Sequence, residues 1–148
     1  MKRLSPPRFE ALERDWHLSP IVDAEDYVFL SGVTGYRPDG TVDPDPERQF
    51  RDAFAFVEAN LAEAGLGWAD VVEMTTYHVD LRRHLQAFIR AKDAHVKAPY
   101  PAWTAIGVTE LITEGTLAEI RVIARRDPHG DVTDEAVPPE QLTAQNTV

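Results

Sequence analysis

Two stretches in the second half of the chain alternate apolar and polar positions with a period of two. They are Pro-Ala-Trp-Thr-Ala-Ile-Gly-Val at 101–108 and Leu-Ala-Glu-Ile-Arg-Val-Ile-Ala at 117–124. Both patterns predict strands, separated by a Gly-containing segment, Glu110 to Thr116. In the second, Ala118, Ile120, Val122 and Ala124 form one apolar face, which leaves Glu119 on the other face beside Leu117, Arg121 and Ile123. A carboxylate in that position is either a solvated charge paired with Arg121 or Arg125, or an acid placed for chemistry.

Upstream the period changes. Trp16 to Val22 and Tyr27 to Ser31 predict two strands, and Arg37-Pro38-Asp39-Gly40 predicts a turn in which Pro presets φ and Gly takes positive φ. Asp45-Pro46 opens a helix as N-cap and first helical residue. Phe50, Ala53, Phe54, Val57 and Leu61 recur at helical spacing, and Gly65 is placed to stop the helix. Val71 to Val79 predicts a strand. Asp80 is expected to cap a second helix whose Leu85, Phe88, Ile89 and Lys92 stem share a stripe, and Pro99 and Pro101 end it before a closing hairpin. The order is β-β-α-β-α-β-β: an α+β, two-layer domain with two helices on one face of a mainly antiparallel sheet. Ser31, Met74, Thr76, Ala105 and Gly107 are expected on the other face, packed against a second subunit. Residues 1–15 read as an irregular arm, 16–126 as the domain and 127–148 as a polar tail.

Composition narrows the chemistry. The 148 residues suit one domain with one core, and no apolar run reaches membrane-spanning length. Charged residues and Pro6-Pro7 follow the first positions instead of a leader-like apolar stretch, so a cytoplasmic location is expected, with no membrane partner. The absence of cysteine excludes disulfides, thiolate nucleophiles and Cys-ligated metal. His17, His78, His84, His95 and His129 show no close-spaced pair, so no metal is expected, and His78 reads as a satisfied histidine lining a subunit interface. A formal net charge of −10 speaks against nucleic acid as a partner, because phosphate binding depends on Lys and Arg.

Tyr-Val-Phe-Leu-Ser-Gly at 27–32, Gln49 opening a helix, Ala-Asp-Val-Val at 69–72, Pro101-Ala102, and Glu119-Ile120 with Ile123-Ala124 keep a fixed order and spacing. This set, spread over residues 26 to 126, resembles the Rid/YjgF reactive-intermediate deaminase family. The resemblance implies a chorismate-mutase-like, YjgF-like sheet that closes with two copies into a trimeric barrel. It also implies clefts between subunits in which enamines and imines are hydrolysed to a ketone and ammonia, with no cofactor.

Carried over residue by residue, the resemblance makes Glu119 the catalytic carboxylate that orients water or passes protons. Ser31, Gly32, Gln86, Trp103 and Ala105 become the substrate-binding positions. Active relatives carry an arginine where this chain has Trp103; an indole offers one N–H and an apolar plane, and cannot neutralise a substrate carboxylate. Arg37 or Arg121 either replaces that arginine from another direction or pairs with acidic neighbours. The expected activity is hydrolysis of a small imine, enamine or related reactive metabolite other than the usual 2-imino acids. The alternative is a non-catalytic trimer that binds a small molecule in the same clefts.

Overall fold

The computed structural model describes residues 1–126; the predicted polar tail lies outside them. In chain order the elements are β1 (Lys2–Leu4), α1 (Glu10–Trp16), β2 (Ile21–Ala24), β3 (Tyr27–Leu30), β4 (Val33–Thr34), α2 (Pro46–Glu63), β5 (Val71–Val79), α3 (Leu81–His95), β6 (Ala102–Val108) and β7 (Ala118–Arg125). They form one sheet in the order β1-β2-β3-β7-β5-β6, with β4 also paired to β7. All pairs are antiparallel except β5 with β6.

The two long helices form where the pattern predicts. Asp45 caps α2 by accepting the Arg48 N–H at 3.0 Å, Pro46 occupies the first turn, and Gly65 follows the end with φ 71°. Phe50, Ala53, Phe54, Val57 and Leu61 are buried against Val28, Ile120 and Val122 of the sheet. Each large side chain of that stripe contributes on the order of 2 kcal/mol by leaving water. On α3, Phe88 packs edge-on against Phe50, with centroids 5.3 Å apart.

Four expectations are corrected. Residues 1–15 are not irregular: Glu10 to Trp16 are good helix formers and make α1, and the first strand of the predicted pair starts only after Pro20. Asp80 does not cap α3 with its side chain; it turns the chain through φ 51° instead. β6 and β7 do not form a hairpin, because β5 lies between them. Their connection, residues 109–117, is long enough to cross, and an apolar face as complete as that of β7 belongs in mid-sheet rather than at an edge.

The fourth concerns the sheet faces. A bulge between Val71 and Glu73 breaks the alternation of β5, turning Val72 outward and placing Met74, Thr76 and His78 under the helices. Met74 and Thr76 are therefore core, not subunit interface, and by register Trp103, Ala105 and Gly107 share their face at the sheet's edge. His78 is likewise buried inside the protomer. The face without helices carries Tyr27, Phe29, Tyr77, Ile106 and Ile123 instead.

Gln49 ties the helical layer to the loops. Its Nε2 donates to the carbonyls of Asp43 (3.2 Å) and Gly115 (3.1 Å), and its Oε1 accepts from Leu117 N at 2.5 Å. Gly35 lies so close that a methyl there would stand 2.2 Å from the Gln49 carbonyl oxygen. Replacing Gln49 by Leu, of similar shape, leaves three backbone groups without a partner. We expect a loss of about 3 kcal/mol in urea unfolding, more than double the effect of an ordinary surface change. A loss below about 1 kcal/mol would remove Gln49 from this role.

Candidate active site

Glu119 leaves β7 on the uncovered face, between Tyr77 of β5 and Thr34 of β4. Its carboxylate rests on Gly32: a methyl group at position 32 would stand 2.0 Å from Oε1 and 2.6 Å from Cδ. Only glycine permits this approach, for reasons of space and not of φ. The contact half-buries the acid, and the lost hydration raises its pKa above the usual carboxylate range. No basic group is among the causes of that shift. Among the described residues Glu119 makes no ion pair, and its carboxyl is half-buried rather than fully solvated.

Ser31 stands beside Gly32, where β3 ends. Its hydroxyl donates to the Ser19 carbonyl at 2.8 Å and its N–H to the Pro20 carbonyl at 2.9 Å. Its proton fixes the segment before β2, and the oxygen keeps its capacity to accept.

The other predicted residues gather elsewhere. Trp103 lies on the helix side of β6, stacked on Phe88 with centroids 6.1 Å apart, and its indole N–H donates to Thr76 Oγ at 2.9 Å. Thr76 Oγ is also 2.8 Å from His78 Nε2 and 3.5 Å from the Thr104 carbonyl. The Thr76 hydroxyl accepts from the indole and donates to the Thr104 carbonyl, and burial keeps the His78 imidazole neutral by lowering its pKa to about 4. Ala105 follows on the same side of β6, paired in register with Thr76. Gln86 is exposed on α3, three residues before Ile89 and seven before Asp93, and so on the flank that borders Trp103.

Two half-sites result. Ser31, Gly32 and Glu119 stand on the uncovered face, and Trp103, Ala105 and Gln86 belong to the helix side. Strand β5 separates β6 from β7, and the side chains at 103 and 119 leave the sheet in opposite directions. A single chain does not bring the two groups together.

Neither arginine considered as a substitute is free. Arg37 bonds Asp43 at 2.6 Å and Asp52 at 3.0 Å, and Arg121 lies 3.5 Å from Glu73. The backbone N–H of Asp45, with help from Arg37, holds the buried Asp43 carboxyl below its usual range.

A different cation stands at the second half-site. Lys92 Nζ lies 5.3 Å from the Trp103 ring and 6.0 Å from that of Tyr100. These residues line a groove of about 550 Å³ between α3 and β6. The helical stripe placed the Lys92 stem, but nothing in the pattern pointed to its ammonium or to Tyr100. Among the described residues no three of His, Asp and Glu converge as a metal site, and no helix is long and apolar enough to cross a membrane.

The model of the family described as Endoribonuclease L-PSP matches residues 10–126. The RutC family protein YjgH of Escherichia coli strain K12 is 38% identical over 121 residues, which cover 81% of this chain and 91% of that protein. A solved structure of a protein named YJGH superposes with a TM-score of 0.74 at 35% identity, covering 84% of this chain and 95% of the other. E. coli TdcF, solved with bound serine, gives a TM-score of 0.67 at 28% identity, over 74% and 88%. The strand order, the Ser31-Gly32 corner under Glu119 and these similarities converge: the chain belongs to the Rid/YjgF family, whose family model carries the Endoribonuclease L-PSP description.

Proposed function

We propose that this protein is a homotrimeric hydrolase of a small imine, enamine or related reactive metabolite, with each site assembled from two protomers. The observation that carries the reading is the half-buried Glu119 carboxyl on Gly32. Hydrolysis of C=N adds water to the carbon, moves a proton to nitrogen and expels ammonia from the tetrahedral adduct, leaving a carbonyl. A carboxyl with a raised pKa suits this sequence, because it takes the proton from water in one step and returns it to nitrogen in the next. Ser31 and the Gly32 backbone border that water. Trp103, Ala105 and Gln86 of a neighbouring copy form the opposite wall.

Assembly from two copies accounts for both faces of the sheet. Tyr27, Phe29 and Ile106 stand exposed by 43%, 36% and 40% on the face without helices, which is the covering problem a second copy solves. That TdcF was solved with bound serine supports a small polar metabolite as the ligand class. The chain's net charge of −10 favours such a ligand over RNA, despite the family's description.

Replacing Glu119 by Gln keeps the shape and removes the proton carrier. We expect turnover of an imine substrate to fall by about a hundredfold or more. The stability effect has a defined sign. Burial raises the folded-state pKa, so the stability Glu119 contributes is present below its unfolded pKa and is lost as pH rises through the folded one. Urea unfolding should find the Gln variant equal to wild type in acid and more stable at neutral pH. Unchanged turnover, or lower stability at neutral pH, would return Glu119 to a structural role.

Short 2-imino acids should be poor substrates, because residue 103 offers no guanidinium. The half-life of enzymatically generated 2-iminobutyrate should change little with wild type. Trp103→Arg should accelerate its hydrolysis by about 30-fold or more, the worth of a well-placed bidentate pair. Wild-type activity equal to that of an arginine-bearing relative would contradict this.

A further inference from the structure

We infer that the groove between α3 and β6 binds a monocarboxylate with an apolar, preferably planar body, and that Lys92 holds its carboxylate. For catalysis the inference rests on the proposed function; for binding it rests on the groove alone. Met74, Ile89, Val96 and Pro101 give the groove apolar walls, and Trp103 and Tyr100 supply two aromatic faces. Its volume of about 550 Å³ suits a ligand considerably larger than 2-iminobutyrate.

The polar groups in the groove carry one net positive charge. Lys92 and Lys97 contribute two ammonium groups against the single carboxylate of Asp93. Lys92 Nζ bonds Asp93 Oδ1 at 2.5 Å, while Lys97 Nζ donates to the Asp93 backbone carbonyl and leaves that carboxylate alone. On a chain with a net charge of −10, this is a local attractor for an anion.

Geometry singles out Lys92 over Lys97. Its side chain is only 13% exposed, its stem packs along α3, and its ammonium is directed between the rings of Trp103 and Tyr100. An ammonium has three donors, and Asp93 occupies one. A ligand ring lying along Trp103 would set its carboxylate against the remaining two. Trp103 cannot swing aside freely, because Thr76 and Phe88 fix its edge and face. The residue that displaces the family's arginine thus becomes a platform for the ligand body, and the charge comes from the helix. A lone ammonium is a point charge without the planar fork of arginine, so affinity depends on the apolar body as well.

Calorimetric titration of the intact protein with 3-phenylpropionate and its neutral isostere 3-phenylpropionamide tests this. We expect the acid to bind at least about tenfold more tightly than the amide, with the difference shrinking as salt is raised. Lys92→Met should abolish the preference, Lys92→Arg should retain it, and Lys97→Met should change it by less than about twofold. Trp103→Ala should weaken both ligands. Thermal melts of the variants identify any that fail to fold, and for those the acid-to-amide comparison in wild type and Lys92→Arg decides. Equal binding of acid and amide, no binding of either, or a preference that survives Lys92→Met overturns the inference. The titration reads binding without turnover, while the imine assay of Glu119→Gln reads turnover, so a failed groove and a failed hydrolase give different results.

Discussion

The position of β7 in the sheet is the constraint on which the rest depends. The last strand of the domain enters between β3 and β5, two elements formed much earlier in the chain, and is hydrogen-bonded on both sides. Its register is fixed by Ala118, Ile120, Val122 and Ala124, all buried under α2 and α3. A slip of one residue would turn that face to solvent and put Glu119 and Arg121 into the core, which no other contact could offset. The hydrophobic effect therefore sets the direction of the catalytic candidate. The same strand, paired with β4, carries the Glu119 carboxyl onto Gly32.

The two half-sites use opposite electrostatic devices. At Glu119 burial removes water from an acid and no cation among the described residues offsets it, so the carboxyl holds its proton more firmly than in water. At Trp103 it builds a fixed aromatic wall, anchored by the indole bond to Thr76 and through that hydroxyl to a neutral His78. Buried polar groups of this kind are stable when they are satisfied, and here the indole N–H and the imidazole Nε2 both meet the Thr76 hydroxyl. In the proposed reading one half handles protons and the other holds the body of a ligand, and their separation by a full strand and two sheet faces requires a second copy to complete the site.

Much of this was legible in the sequence because the signals were periodic. Helical spacing from Phe50 to Leu61, the Asp45-Pro46 start and the alternation of 118–124 located α2 and β7, and a carboxylate opposite a full apolar face marked Glu119. The misreadings came where local signals do not determine pairing. A bulge at Val72 changes which side of β5 meets the helices and is silent in the sequence, so the pattern puts Met74, Thr76 and His78 on the wrong face. Adjacent strands 101–108 and 117–124 looked like a hairpin because sequence proximity carries no information about an intervening β5. Resemblance of motifs assigns Ser31, Gly32, Gln86, Trp103, Ala105 and Glu119 to clefts between subunits, but not which of them share a face of the sheet. The pattern shows only the stem of Lys92, since the ammonium acquires meaning only when Trp103 and Tyr100 flank it.

The central claim is that one protomer's Glu119 works against another's Trp103. Subunit mixing tests it most directly. Two variants, Glu119→Gln, which the account expects to lose turnover, and Trp103→Ala, which it expects to lose the ligand wall, are unfolded together, refolded in equal amounts and assayed on an imine substrate. Each variant keeps the half-site the other has lost, so random reassembly should restore about a quarter of the wild-type sites, while either variant refolded alone stays inactive. A mixture no more active than its components would show that the residues do not act across an interface, and would contradict the account.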